Sequence, residues 1–235
     1  MISIENIAEL VGWYVVFIIS VSLHEACHAW AAMRGGDLTA FHGGQVSLDP
    51  VPHMRREPFG MILLPVISLL LMGWPIGFAS APYDPEWARR YPRRSAYMAL
   101  AGPAGNLFLV LLAAFAIRLG MLTGHFCEPD SIKMAQIGAA VGPGLGRGVI
   151  QIISMLFSMN LILVCLNLIP LPPLDGSDVI TLFMKPEMIE RYRKFIRTPG
   201  LSVVGLILAW QLFDPIFNVL FLVAVNCLYP GAGYQ

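Results

Sequence analysis

Charge is scarce in this chain. Asp, Glu, Lys and Arg together make up 13% of its 235 residues, about half the share of an ordinary soluble domain. So few charges cannot cover a large water-facing surface, and with apolar residues at 57% lipid is the expected solvent. No basic block is long enough to track a phosphate backbone and the formal net charge is zero, which excludes nucleic acid as a partner. Cysteine is sparse as well. Cys27, Cys127, Cys165 and Cys227 stand far apart without paired spacing, which excludes a disulfide framework and a thiolate zinc knot and leaves them as apolar fillers. The N-terminus lacks the basic region and cleavage site of a secretory signal, so the first apolar run is read as mature protein. Internal repeats and low-complexity tracts are missing too.

What the chain has is long apolar runs. Four of them, about 7–33, 96–122, 149–170 and 200–228, are long enough to cross a hydrocarbon core of about 30 Å. A fifth, about 59–80, is interrupted by Pro65, Gly73, Pro75 and Gly77, which argues for an element that dips in and returns. The stretch from Leu38 to Val51, rich in Gly and β-branched residues, reads as a short β-hairpin near the first run. Ile132 to Gly148 reads as a loop or interfacial piece. The expected fold is a single all-α polytopic membrane domain over 1–235, with four full transmembrane helices, a re-entrant hydrophobic element and that hairpin.

The basic residues set the expected topology. They concentrate as Arg34, Arg55 and Arg56, then Arg89, Arg90, Arg93 and Arg94, then Lys185, Arg191, Arg193, Lys194 and Arg197. All three groups fall on one side of the membrane, the inside, only if 59–80 re-enters. Both termini then lie outside.

At the end of the first run stands His24-Glu25-Ala26-Cys27-His28. Two histidines four apart lie about 40° apart on one helical face, so both imidazoles can reach one ion while Glu25 turns toward the water beside it. Zinc suits such ligands and leaves a position for water whose pKa it lowers. The bland alternative, two interfacial histidines with Glu25 in an ion pair, has to explain three costly ionisable groups within five residues at membrane depth. A third ligand is expected at the end of the 149–170 run, where Asn167-Leu-Ile-Pro-Leu-Pro-Pro-Leu-Asp175-Gly176 stops the helix and presents Asp175 on unwound backbone. With a re-entrant 59–80, Asp175 and the histidines sit at the same face.

Asn160 and Asn167 share a helical face, and Asn106 follows Gly102-Pro103-Ala104-Gly105. Each amide either donates to a substrate carbonyl or oxyanion, or ties neighbouring helices together. The small residues from Ala101 to Gly105 suit close packing against the HExxH helix. His42, His53 and His125 lack ligand spacing. Ser177 and Asp178 either support Asp175 or cap a helix, and Glu187 to Arg197 reads mostly as a solvated charged face.

Three blocks together, HEACH at 24–28, ALAGPAGN at 99–106 and NLIPLPPLDG at 167–176, resemble the site-2 protease family of intramembrane zinc metalloproteases. The resemblance implies one Zn2+ per chain on His24, His28 and Asp175, with Glu25 as general base for a zinc-activated water and Asn167 near the substrate. It further implies regulated cleavage, in or near the membrane, of another protein's transmembrane segment, from a site facing the cytoplasm, and, if the source is bacterial or archaeal, a place in the cell (inner) membrane. The chain is similar to a compact member without PDZ or CBS domain. It departs from the family at Asp49-Pro50 and His53 to Pro58, where added arginines alter the loop before the re-entrant element. The hairpin at 38–51 is expected to hold substrate by edge pairing. The rival reading is a non-proteolytic metal-binding protein or transporter using the same His-His-Asp cluster, but ionisable groups along a path and paired repeats are missing. A catalytically dead scaffold would be favoured by loss of Glu25, which is present.

Overall fold

The computed structural model describes residues 4–234. In chain order the elements are α1 (Ile4–Gly35), α2 (Thr39–His42), α3 (Pro50–Arg56), a π-helical turn (Phe59–Leu63) running into α4 (Leu64–Met72), and α5 (Pro85–Arg90). There follow α6 (Pro92–Leu122), strands β1 (Phe126–Cys127) and β2 (Ala139–Ala140), α7 (Leu145–Asn167), α8 (Gly176–Val179), a 3-10 turn (Ile180–Phe183), α9 (Pro186–Ile196) and α10 (Leu201–Leu228). Four helices are long and apolar enough to cross a membrane: Ile7–Gly35 of α1, then α6, α7 and α10. They fall on the four apolar runs, and the chain is a multi-pass membrane protein. Large apolar side chains such as Leu111 and Phe115 on α6 and Leu70 and Leu71 on α4 are exposed, as suits helices whose outer faces meet lipid.

The segment after α3 turns back on itself. Phe78 N–H donates to Gly60 O at 3.1 Å, Ile76 N–H to Ser68 Oγ at 2.7 Å, and Ser80 Oγ–H to Glu57 at 2.6 Å. Gly73, at φ 81°, makes the turn in a left-handed conformation that side-chain-bearing residues resist. The chain therefore enters and leaves this element at neighbouring points. Met61 and Leu69 pack on Trp13 and Phe17 of α1, and Tyr14 OH reaches Met61 O at 3.3 Å.

The hairpin expected from Leu38 to Val51 is not formed. Asp37 Oδ1 accepts from Thr39 N–H at 2.9 Å and from Thr39 Oγ1–H, which starts the helical turn α2. Asp49 likewise accepts from Val51 N–H at 2.9 Å ahead of Pro50 in α3. Local bonds from these side chains to the backbone outweighed the β-branched composition. The departure from the family pattern at 49–58 is thus a capped helix, and edge pairing from 38–51 has no strand to work with. The described residues hold one antiparallel strand pair, β1 with β2, of which β2 lies inside the 132–148 stretch read as loop and β1 just before it.

α1, α6 and α7 form the centre of the bundle, and α10 lies at its side. Trp87 Nε1–H and Arg94 Nη1–H both donate to Gly35 O at 3.0 Å, so α6 starts where α1 ends. At the opposite end Arg118 of α6 donates to Leu228 O at 3.2 Å, and Tyr229 OH to Ile137 O at 2.7 Å. α9 caps the first end. Its Arg191, Lys194 and Arg197 are solvated as expected, but Arg193 is buried. Arg193 donates to Ala88 O at 2.7 Å and Ser95 Oγ at 3.1 Å and pairs with Asp178 at 3.2 Å. The face is solvated only in part because a guanidinium has donors enough to bind α5, α6 and α8 together. Arg193→Met, which strands Asp178, is expected to cost about 2–3 kcal/mol, less than for a fully buried pair because Asp178 is partly exposed. Lys194→Met, which breaks the open pair with Glu190, should change stability by less than about 0.5 kcal/mol. Thermal unfolding in detergent compares the two.

Candidate functional site

The sixth and seventh turns of α1 carry His24, Glu25 and His28, all buried. One helical turn sets the two rings with centroids 4.5 Å apart and nearly perpendicular, and their Nε2 atoms lie 2.9 Å apart. His24 stands eleven residues before Gly35, about 16 Å along the helix axis. The cluster is therefore inside the apolar span rather than at its rim.

α6 supplies the wall against which the rings rest. Met98, Gly102, Gly105 and Asn106 recur at helical spacing on one face. His28 Nδ1–H donates to Met98 O at 2.7 Å, and His24 Nδ1–H donates to Asn106 Oδ1. Gly102 leaves the room: a Cβ there would strike Nε2 of both histidines. Small residues in this block were expected for packing; their closer task is to admit two imidazoles.

Asp175 comes from the far side. α7 ends at Asn167, and the proline-rich turn after it brings Asp175 Oδ2 to 3.1 Å from His24 Nε2 and 3.3 Å from His28 Nε2. α8, which starts directly after it, is held from α9 by the Arg193–Asp178 pair and by Tyr192 OH donating to Ser177 O at 2.9 Å. Burial, and then the nearby Asp178 carboxylate, raise the Tyr192 pKa, so the phenol keeps its proton and remains a donor. Ser177 and Asp178 thereby anchor the turn that carries Asp175.

Whether a cation fits follows from the hydrogen bonds. Met98 O can only accept, so His28 Nδ1 must donate to it. Asn106 Nδ2 donates to Ser20 O at 3.2 Å and to Asn160 Oδ1 at 2.8 Å, which turns its Oδ1 to His24 and makes His24 Nδ1 a donor too. In the neutral rings both Nε2 atoms are then lone-pair acceptors, and Asp175 Oδ2 is a third. Three acceptors 2.9–3.3 Å apart repel one another unless a cation or a shared proton lies between them. Ligand atoms of tetrahedral zinc, with bonds of about 2.0–2.1 Å, stand about 3.3 Å apart. Glu25 Oε2 and Asp175 Oδ2 are buried with no hydrogen-bond partner, and His24, Glu25 and His28 offer ligand atoms within 4.8 Å of one another. The donor set fits zinc, with Glu25 beside it.

The three asparagines separate. Asn160 donates to Ser20 Oγ at 2.9 Å and Leu156 O at 2.8 Å; like Asn106 it is wholly buried. Both amides are consumed inside the protein, so the substrate or oxyanion contact considered for Asn106 and Asn160 gives way to the helix-tying alternative. Asn167 is half-buried in the last turn of α7 and makes no side-chain hydrogen bond among the described residues. His53 is buried and bonds to Ser47 O at 2.9 Å, away from the cluster; His42 and His125 are exposed. Ser20 and the Met98 carbonyl were not singled out from sequence. Ser20 stands one turn before His24 and could have been found by that spacing, whereas a backbone carbonyl leaves no trace in side-chain chemistry.

Comparison with known proteins bears on this geometry. The chain matches the model of Peptidase family M50 over residues 13–209. It is 30% identical over 174 residues to "Putative zinc metalloprotease YwhC" of Bacillus subtilis (strain 168), covering 73% of this chain and 68% of that protein. "Putative zinc metalloprotease Rip2" of Mycobacterium tuberculosis (strain ATCC 25618 / H37Rv) is 31% identical over 179 residues, covering 76% of this chain and 58% of the relative. Its namesake in Mycolicibacterium smegmatis is 30% identical over 182 residues, covering 77% and 59%. No solved structure matches the chain.

Removing the acceptor for His24 by Asn106→Leu is expected to weaken zinc binding about 10–100-fold with helix content kept. Gly102→Ala should weaken it more, since the added methyl occupies the approach to both rings. Chelator competition on the purified variants measures both.

Proposed function

Because the chain belongs to peptidase family M50, the site-2 protease family, we propose that it is an intramembrane zinc metalloprotease that cleaves peptide bonds in or near transmembrane segments of other proteins. The observation that carries this reading is the convergence of three metal-ready acceptors and one unpartnered carboxylate within an apolar helix bundle. A metalloprotease with a zinc cofactor is what the family and the relatives' names support; the substrate class, the membrane depth of cleavage and its regulatory use are our reading.

His24, His28 and Asp175 hold one zinc per chain. When bound, zinc polarises a carbonyl and lowers the pKa of water in its coordination shell. Glu25 takes the proton of the attacking water and returns it to the leaving amine. Its burial suits that task, since no neighbouring donor competes for the carboxylate. Asn167, with its amide free, is available to a substrate carbonyl. A substrate helix must unwind first, because its carbonyls are already bonded within the helix, so Gly- or Pro-weakened segments are favoured.

The folded-back 57–80 segment is read as re-entrant. On that reading the arginines near α5 and α9 mark the cytoplasmic side of the cell membrane, and the site opens toward it. A metal transporter is disfavoured because His24, Glu25 and His28 form the sole metal-ready cluster among the described residues, where a path would need several.

Zinc content and cleavage separate the roles. Wild type should carry one zinc, and His24→Ala and Asp175→Ala far less. Glu25→Gln should keep the zinc and lose at least about 100-fold in cleavage of a membrane reporter. Unimpaired cleavage by Glu25→Gln would remove the general base, and a zinc-loaded wild type that cuts no membrane substrate would favour the binding or transport reading.

A further inference from the structure

α10 carries an ionisable residue at the centre of the membrane that the proposed chemistry does not use. Asp214 lies thirteen residues from Leu201 and fourteen from Leu228, about 20 Å from either end of the helix, beyond the reach of lipid headgroups. It is exposed on the outer surface, as are Gln211 and Asn218. None of the three side chains takes part in a hydrogen bond or ion pair among the described residues. Pro215 follows Asp214 inside the helix; lacking an N–H, it also deprives the Gln211 carbonyl of its usual donor. A group of polar atoms thus faces hydrocarbon, where each unsatisfied one is costly.

The arrangement of that face is regular. α10 packs on its own bundle through Gly205, Ala209, Phe213, Phe217, Phe221 and Val225, a ladder four residues apart. Its exposed polar residues belong to a different series. Val204, Ile207, Gln211, Asp214 and Asn218 are all exposed and alternate in spacings of three and four, the seam of a coiled coil. In a parallel pair of such helices Asp214 at a d position lies beside the partner's Asp214, in a hole closed at either end by the partner's Gln211 and the partner's Asn218 at the flanking a positions. Amide N–H donors of each copy then surround the carboxyl of the other.

We propose that two copies of this chain pair in the membrane through this face of α10, with Gln211, Asp214 and Asn218 as the polar centre of a two-fold interface. A second copy is the occupant that the chemistry favours. Two copies of one topology share membrane orientation, so their helices run parallel and present Gln211, Asp214 and Asn218 at the same depth without further tuning. An unrelated helix would have to match three polar positions at one level. Flanking leucine-like surface gives no such preference, because apolar faces gain little from each other in lipid.

The test is made on the full chain reconstituted in phosphatidylcholine vesicles over a range of protein-to-lipid ratios. Ile207→Cys, on the seam, should form a covalent dimer under mild oxidation, whereas Leu206→Cys, exposed beside it, should stay at the background that wild type shows with its exposed Cys127 and Cys227. Adding Asp214→Leu to Ile207→Cys should reduce cross-linking. Replacing Gln211, Asp214 and Asn218 together by leucine should weaken dimerisation about tenfold or more, with zinc content unchanged as the sign of an intact fold. Equal cross-linking at 206 and 207, or a wild type that is monomeric at every ratio, would overturn the proposal. So would a zinc-loaded triple variant that dimerises as well as wild type, or a seam that cross-links only to another membrane protein.

Discussion

The centre of this protein rests on two hydrogen bonds that leave the histidines no choice of tautomer. His28 gives its Nδ1 proton to the Met98 carbonyl and His24 gives its own to Asn106, so both Nε2 lone pairs point into the space that Asp175 Oδ2 also faces. Buried among apolar helices, three converging acceptors have little hydration to relieve their repulsion. The apolar surroundings that suit a membrane span therefore also favour a cation within the cluster.

Each of the three central helices holds part of that arrangement. α1 carries the rings, α6 offers a carbonyl, an amide oxygen and a glycine-lined gap, and α7 contributes Asn160, which ties the Asn106 amide to Ser20. The fourth contribution, Asp175, arrives on a turn rather than a helix and is steadied from α9 by Arg193 and Tyr192. Rigid helices suit the fixed ligands. A turn suits the one that must cross from the end of α7 to the rings, and it needs the outside support because unwound backbone has few bonds of its own.

Much of the fold was legible because a membrane span announces itself locally: about 20 apolar residues are both necessary and visible. All four runs became helices, and the Pro and Gly interruptions of 59–80 marked an element that folds back. The error at 38–51 was also local. Composition favoured strands, but Asp37 bonds the first residue of one helical turn and Asp49 caps another, and a single well-placed acceptor outweighs a diffuse propensity. For Arg193 the sequence shows a charged stretch like its neighbours, and only the packing of α9 across α5 and α6 reveals which arginine turns inward.

By itself the sequence determined the solvent, the four helices able to cross it and the pair of histidines, since hydropathy and i, i+4 spacing are properties of a segment taken alone. It also pointed to the family through three short blocks. Tertiary structure decided which asparagine is spent inside and which is free, and why Gly102 has no side chain. It also decided how Asp175 meets both rings. Those facts depend on groups 54 to 151 residues apart in the chain, such as Asn106 with Asn160 and His24 with Asp175, and a contact between distant residues exists only once helix packing has set their separation.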